Sequence, residues 1–285
     1  ELYLNLDTKG YFDFKTGENK RIDKLVLKNS TITTNTDFMI KSINSKIFSN
    51  LDNELVGIFK SSLSDQNISG SILYDSDQSI IRTNLKINMD EITDSSQYFS
   101  MSGQEIFKVT MTFSDENLSM NMVSNLTNTN FSASIQDLNN KLNENTETSI
   151  YIENMSEPSY KIKNKYINAY IKSSGDGYFA FGENYQKKIK TSKYNNGFHI
   201  YLDLDNFSFD ELFYGSSGDD NNLLKSVNIK SKQFNFLDNK YSNINLNLNL
   251  EDEIYINISG NELNGEINID QTNFIKIKLR DSFIN

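Results

Sequence analysis

The sequence predicts an all-β protein: a long, curved, mostly antiparallel sheet that forms an open hydrophobic groove, a repeating β-groove with one or two short helices. Three observations carry that prediction. Apolar and polar residues alternate with a period of two through most of the chain, as they do in half-buried strands. Clusters of Ser, Asp, Asn and Gly separate the alternating runs and read as turns. Pro158 is the one proline in 285 residues, which fits a backbone that must donate to a ladder almost everywhere, because proline removes the donor.

Taken in chain order, Leu25, Leu27 and Ile32 open the alternation, and Leu85, Ile87 and Met89 continue it. Phe107, Val109, Met111 and Phe113 then alternate with Lys108, Thr110 and Thr112, and Leu118, Met120 and Met122 with Asn117, Ser119 and Asn121. Ile150 with Ile152, Ile200 with Leu202 and Leu204, and Ile275 with Ile277 and Leu279 carry the pattern to the end. The strictest run is NINLNLNLEDEIYINI, residues 243–258, which reads as one strand and the start of the next, with a turn from Leu250 to Ile254. Turn clusters fall at Asp75–Asp77, Ser114–Glu116, Ser173–Gly177, Asn195–Gly197 and Ser259–Asn261. The template gives roughly 18 to 22 strands.

Two places depart toward helix. Ser208-Phe-Asp-Glu211 fits a capping box, in which the Ser and Glu side chains satisfy each other's orphan backbone donors ahead of Leu212 and Phe213. Residues 134–143, SIQDLNNKLN, make one or two turns at most, since asparagine is a poor helix former. No linker or charge block interrupts the chain, so residues 1–285 read as a single continuous segment. The start at Glu1 rather than Met reads as a fragment of a larger protein.

Composition narrows the partners. Against 28 basic residues stand 38 acidic ones, a net charge of -10, so the overall balance offers no footprint for a nucleic-acid backbone or an anionic membrane surface. With no cysteine, disulfides and thiolate metal sites are excluded. No stretch of about 18 apolar residues is present to span a bilayer as a helix. The 41 Asn and 25 Lys against 3 Arg reflect an AT-rich coding bias more than a chemistry.

Catalytic chemistry finds little to work with. His199 is the sole histidine and sits inside an alternating strand. Gly175-Asp-Gly177-Tyr-Phe-Ala180 matches a relaxed dinucleotide fingerprint, yet FGENY after it opens no helix, so it reads as a turn. Asp75-Ser-Asp77 and Asp219-Asp220 lack the Gly and distal Glu of a calcium loop and read as solvated turns. The expectation is a protein with no catalytic residues, no metal and no cofactor, and not an enzyme.

The segment from Phe198 to Asn285 resembles the later part of YhdP-type proteins of the AsmA-like family. FHIYLDLDNFSFDELF, residues 198–213, stands where that family has a strand, a turn and a short helix, and Gly260, Leu263, Gly265, Ile267 and Ile269 fall on its paired-strand pattern. IKIKLRDSF is similar to the strand that follows. Upstream, Ser124 to Lys141 and Ser102-Gly103 resemble earlier segments, with Asn128 and Asn130 where glycine is usual and no prolines across Gln136 to Asn139. The resemblance implies an inner-membrane-anchored chain of the periplasm that moves phospholipid toward the outer membrane of a Gram-negative bacterium. The membranes would be reached through parts of the protein outside this segment.

On this reading the apolar side of the sheet is the working surface. The expected groove lining is Val109, Met111, Phe113, Leu118, Met120 and Met122, then Ile244, Leu246, Leu248, Leu250, Ile254, Ile256 and Ile258, and finally Ile267, Ile269, Ile275, Ile277 and Leu279. Taking an acyl chain from oil to water costs about 0.8 kcal/mol per methylene, and a dry strip of such side chains offsets that cost. Two other readings compete: a β-sandwich or adhesin-type interaction domain, whose apolar faces meet each other, and an outer-membrane β-barrel.

Overall fold

A computed structural model describes residues 3–13, 18–33, 39–49, 55–63, 66–74, 78–92, 99–114, 117–154, 157–182, 196–208, 223–236, 238–250, 254–269 and 275–281. Nineteen strands and one α-helix are found among them. They form the all-β, mostly antiparallel, open sheet that the alternation predicts. Among the described residues the strands form an open sheet. The chain packs as two compact units.

The first unit holds residues 1–87, 106–124 and 151–155. Here β1 (Tyr3–Asp13), β2 (Glu18–Thr33), β3 (Met39–Ser49), β4 (Leu55–Leu63), β5 (Gln66–Tyr74) and β6 (Ser79–Asn88) each pair antiparallel with the next. The later part of β7 (Phe99–Ser114) pairs with β8 (Asn117–Ser124), setting Val109 opposite Met122, Met111 opposite Met120 and Phe113 opposite Leu118. Within each strand burial follows the pleat. Ser45, Phe59, Thr83, Phe107 and Val109 are buried, while Lys46, Ile58, Lys60, Arg82 and Lys108 between them are exposed.

The second unit is built from β9 (Thr129–Ala133), α1 (Gln136–Leu142), β11 (Ser159–Lys163), β12 (Ile167–Lys172), β13 (Gly177–Phe181), β14 (Phe198–Ser208), β15 (Leu224–Phe236), β16 (Asn239–Asn249), β17 (Ile254–Ser259), β18 (Leu263–Ile269) and β19 (Ile275–Asp281). β10 (Thr148–Glu153) lies across the division of the chain. From β11 to β13 and from β15 to β19 neighbours are antiparallel, whereas β13, β14 and β15 run parallel.

Register turns the alternation into rows that cross the strands. One row runs Ile162, Ala169, Phe179, Ile200, Val227, Leu248, Ile256, Ile267, Ile277. The next runs Ile167, Phe181, Leu202, Ile229, Leu246, Ile258. Most of these side chains belong to one buried cluster that also takes in Phe131 of β9 and Leu142 of α1. Phe207, Phe234 and Phe236 add an aromatic stack with ring centres 6.0 Å apart. Burying one such Leu, Ile or Phe is worth about 1.5–3 kcal/mol, so this cluster is the main source of the second unit's stability.

Helix α1 forms where the sequence places a helix of one or two turns. Its first turn has no side-chain cap: Ile135 holds the N-cap position. What holds the helix is packing of Leu142, with Ile135 and Leu138 against the core cluster, together with polar ties to β9 and β14. The capping box at Ser208–Glu211 lies outside the described residues except for Ser208, which ends β14. Asp75–Asp77 and Asp219–Asp220 also lie outside them.

Candidate functional site

A concavity of about 1040 Å³ belongs to the first unit. That is the upper end of the range typical of ligand sites. It crosses β3, β4, β5, β6 and β7 and is lined by residues 44–46, 58–60, 69–71, 82–84 and 108–110, with Val26 of β2. Antiparallel register explains why these segments meet. Val26, Lys46, Ile58, Ser71 and Arg82 form one row across β2 to β6, and Ser45, Phe59, Gly70 and Thr83 form the row beside it.

The two rows do different jobs. Ser45, Phe59, Thr83 and Val109 are 9 % exposed or less, and such side chains cannot wall a space open to solvent. Their polar atoms are already satisfied: the Ser45 hydroxyl donates to the Ile58 carbonyl at 3.2 Å and the Thr83 hydroxyl to the Ser69 carbonyl at 2.9 Å. Gly70 leaves room for the Phe59 ring, because a Cβ there would stand 2.7 Å from the ring's Cε1. The accessible lining therefore comes from the alternate positions. Ile58, 64 % exposed, is the open apolar side chain of its row, and Lys46, Lys60, Arg82 and Lys108 stand around it, all exposed. No carboxylate lines the concavity among the described residues.

Two smaller cavities flank α1 in the second unit. One, of about 270 Å³, lies between the helix and the sheet and is lined by Ile135, Leu138, Leu142, Ile167 and Phe179. The other, of about 230 Å³, is polar and includes Asp137, Asn140 and Asn206. Beside them an ionic network joins helix to sheet. Lys141 Nζ lies 2.9 Å from Asp205 Oδ2 and 3.4 Å from Asp137 Oδ2, Lys232 Nζ lies 2.6 Å from Asp205 Oδ1, and the Asp205 N–H donates to Asp137 Oδ2 at 2.7 Å. The Lys232 and Lys141 hydrogen bonds hold the Asp205 carboxyl below the ordinary range, against the opposing effect of burial. Burial lowers the Lys141 ammonium, but its bonds and charge contacts with Asp205 and Asp137 outweigh that and raise it.

His199 is a strand residue of β14, as its alternating surroundings suggest, with Nδ1 2.8 Å from the Ser226 hydroxyl on the neighbouring strand. No group of three or more His, Cys, Asp or Glu that could hold a metal comes together among the described residues. Gly175 to Gly177 form the tight connection between β12 and β13, where the Asp176 carboxylate accepts from the Gly197 N–H at 2.7 Å.

The residues expected to line a groove fall in three places. Val109, Met122, Ile244, Leu246, Leu248, Ile256, Ile258 and Ile267 are buried within their own units. Met111, Leu118, Met120, Leu250 and Ile269 are half-buried. Phe113, Ile254 and Ile277 are exposed, and the side chains of Ile275 and Leu279 lie outside the described residues. The 1040 Å³ concavity gathers only Val109 of this set. Ile58 and Lys60 were missed because LVGIFKSSL, the sequence of β4, interrupts the alternation with a run of apolar residues and glycine, and Lys46, Arg82 and Lys108 because they are spread over β3, β6 and β7.

Fold and site together define a class: a β-sheet protein with a cation-bordered, partly apolar concavity on one sheet face. No family model, curated protein or solved structure matches the chain.

Proposed function

We infer that the protein binds phospholipid and carries it, with the acyl chains resting on the sheet of the first unit. The observation that carries this reading is the 1040 Å³ concavity crossing five strands around Ile58. A chain laid there covers Ile58, Val26 and the alkyl stems of the surrounding lysines, and each methylene taken from water is worth about 0.8 kcal/mol. The sequence resemblance to envelope-spanning lipid carriers supports the same reading, and a carrier of that kind would work in the periplasm, joined to the inner membrane by parts outside this segment. No helix among the described residues is long and apolar enough to cross a membrane.

The test is site-specific photocrosslinking. With a photoreactive residue at position 58, phospholipid is captured from a mixed lipid extract and identified by mass; at the exposed position 247 of β16 it is not. Equal capture at both positions would sink the reading.

A second reading, an interaction module with a packed interior, is favoured in the second unit, where Ile244, Leu246 and Ile258 are each 1 % exposed. Photoreactive residues at positions 248 and 256 separate the two: lipid capture there extends carriage to the second unit, and intramolecular crosslinks alone assign it a packed role.

A further inference from the structure

We propose that the concavity of the first unit selects lipids whose headgroup carries net negative charge, a proposal that rests on the lipid-binding reading above. The residues that line it, 44–46, 58–60, 69–71, 82–84 and 108–110 with Val26, hold Lys46, Lys60, Arg82 and Lys108 and not one Asp or Glu. The same chain carries 38 acidic residues against 28 basic ones. The net charge of -10 therefore conceals a segregated surface. The strands that carry this lining hold Glu18 and Asp23 in β2 and Glu105, 3 % exposed, in β7, and none of the three is part of the lining.

The placement fits an amphiphile. Lys46, Ile58, Ser71 and Arg82 follow one another across β3, β4, β5 and β6, so a cation stands on either side of the exposed isoleucine. Three strand steps of about 4.8 Å put the Lys46 and Arg82 backbones roughly 14 Å apart. Lys60 follows Ile58 by two residues and stands on the same side of the pleat. Hydrocarbon covering Ile58 thus ends within reach of an ammonium or a guanidinium, the donors that suit phosphate as a point charge and as a bidentate partner. A zwitterionic headgroup brings its own cation into that field and forfeits much of the attraction. A nucleic acid is the poorer fit: the one aromatic residue of the lining, Phe59, is 9 % exposed and lies on the other side of the pleat from the cations, out of reach of a base, and the exposed isoleucine has no counterpart on a phosphate backbone.

The test measures affinity of the full chain for short-chain phosphatidylglycerol and phosphatidylcholine held below their micelle concentrations, with inorganic phosphate and a short single-stranded oligonucleotide as further arms. Phosphatidylglycerol is expected to bind at least tenfold tighter than phosphatidylcholine. Each of Lys46→Gln, Lys60→Gln and Arg82→Gln lowers its affinity about fivefold and leaves the choline lipid unchanged, whereas Ile58→Asn lowers both alike. These side chains are exposed, and thermal melts of each variant confirm that the fold is kept. Equal wild-type affinity for the two lipids overturns the selectivity and spares the lipid reading; binding of neither lipid overturns both. Tighter binding of the oligonucleotide, or of phosphate alone, overturns the proposal in favour of a nucleic acid or a free anion.

Discussion

The side-chain amide of Asn143 makes two hydrogen bonds to the backbone of Phe131, accepting from its N–H and donating to its carbonyl, both at 2.9 Å. A side chain at the end of α1 thereby serves β9 as a neighbouring strand would. Asn139, one helical turn earlier, accepts from the Ala133 N–H at 3.3 Å. The asparagines that weaken the helix as a helix are the groups that fasten it to the sheet. Replacing Asn143 by Ala leaves the Phe131 backbone groups unpartnered on that side, and the expected loss is about 1–3 kcal/mol, read as a lower urea midpoint at unchanged slope. Asn143→Asp keeps the acceptor and loses the donor, so it should fall between wild type and Ala.

Lys141 and Asp205 add a pH dependence to the same attachment. The Asp205 carboxyl titrates below its ordinary value, chiefly through the Lys232 hydrogen bond and then that of Lys141. A depressed folded-state value stabilises above the unfolded carboxylate range, near pH 3.9, and that stability is lost as pH falls through the folded value. Lys141 and Lys232 are raised, so their share is present at neutral pH and lost only above the ordinary lysine range. With the Asp205 side chain 42 % exposed, the pair contributes under about 1 kcal/mol. Asp205→Asn should lower the melting temperature by a few degrees at pH 7, and the difference from wild type should shrink progressively as pH falls below the ordinary carboxylate range. A difference that stays constant with pH would assign the loss to packing.

Much of the fold was legible because a period of two survives any strand order: Leu246 and Leu248 face one way and Asn247 the other whichever strand lies beside them. Strand direction was not legible. β13, β14 and β15 are parallel, yet Phe198 to Leu204 alternates just as it would in a hairpin. Alternation also names two faces without saying which is covered. Leu246 and Ile58 are both apolar strand residues, but Leu246 is 1 % exposed and Ile58 64 %, and that difference is decided by tertiary packing. The charge of the site was hidden by summation. A net charge taken over 285 residues averages away strands in which lysine and arginine occur without a carboxylate, and a strand-by-strand count would have found them.

The rows of the second unit make a contrast between adjacent residues. Leu246 pairs with Ile229 on one side and Ile258 on the other, all three 1 % exposed. Leu246→Ala removes packed atoms from a site with buried neighbours on both flanks, and the expected cost is about 2–5 kcal/mol. Asn247 is exposed, and Asn247→Ala should stay within about 0.5 kcal/mol of wild type. Chemical unfolding of the two variants side by side checks the contrast.

Gly70 tests how closely the first unit's strands must approach. A Cβ at this position would stand 2.0 Å from the Arg82 carbonyl oxygen and 2.7 Å from the nearest Phe59 ring carbon. The ring can rotate away, but the carbonyl belongs to the neighbouring strand of the ladder, and moving it disturbs the pairing of Gly70 with Thr83. Gly70→Ala should therefore destabilise the protein by about 1–3 kcal/mol, in the manner of an overpacked core, despite the gain alanine usually brings by narrowing the unfolded chain. Pairing it with Phe59→Leu separates the two contacts. If the double variant recovers most of the loss, the ring is the obstacle; if it recovers none, the strand backbone is. Hydrogen exchange at the Thr83 amide supplies the independent reading, since a displaced ladder exchanges faster there while the amides of the second unit keep their protection.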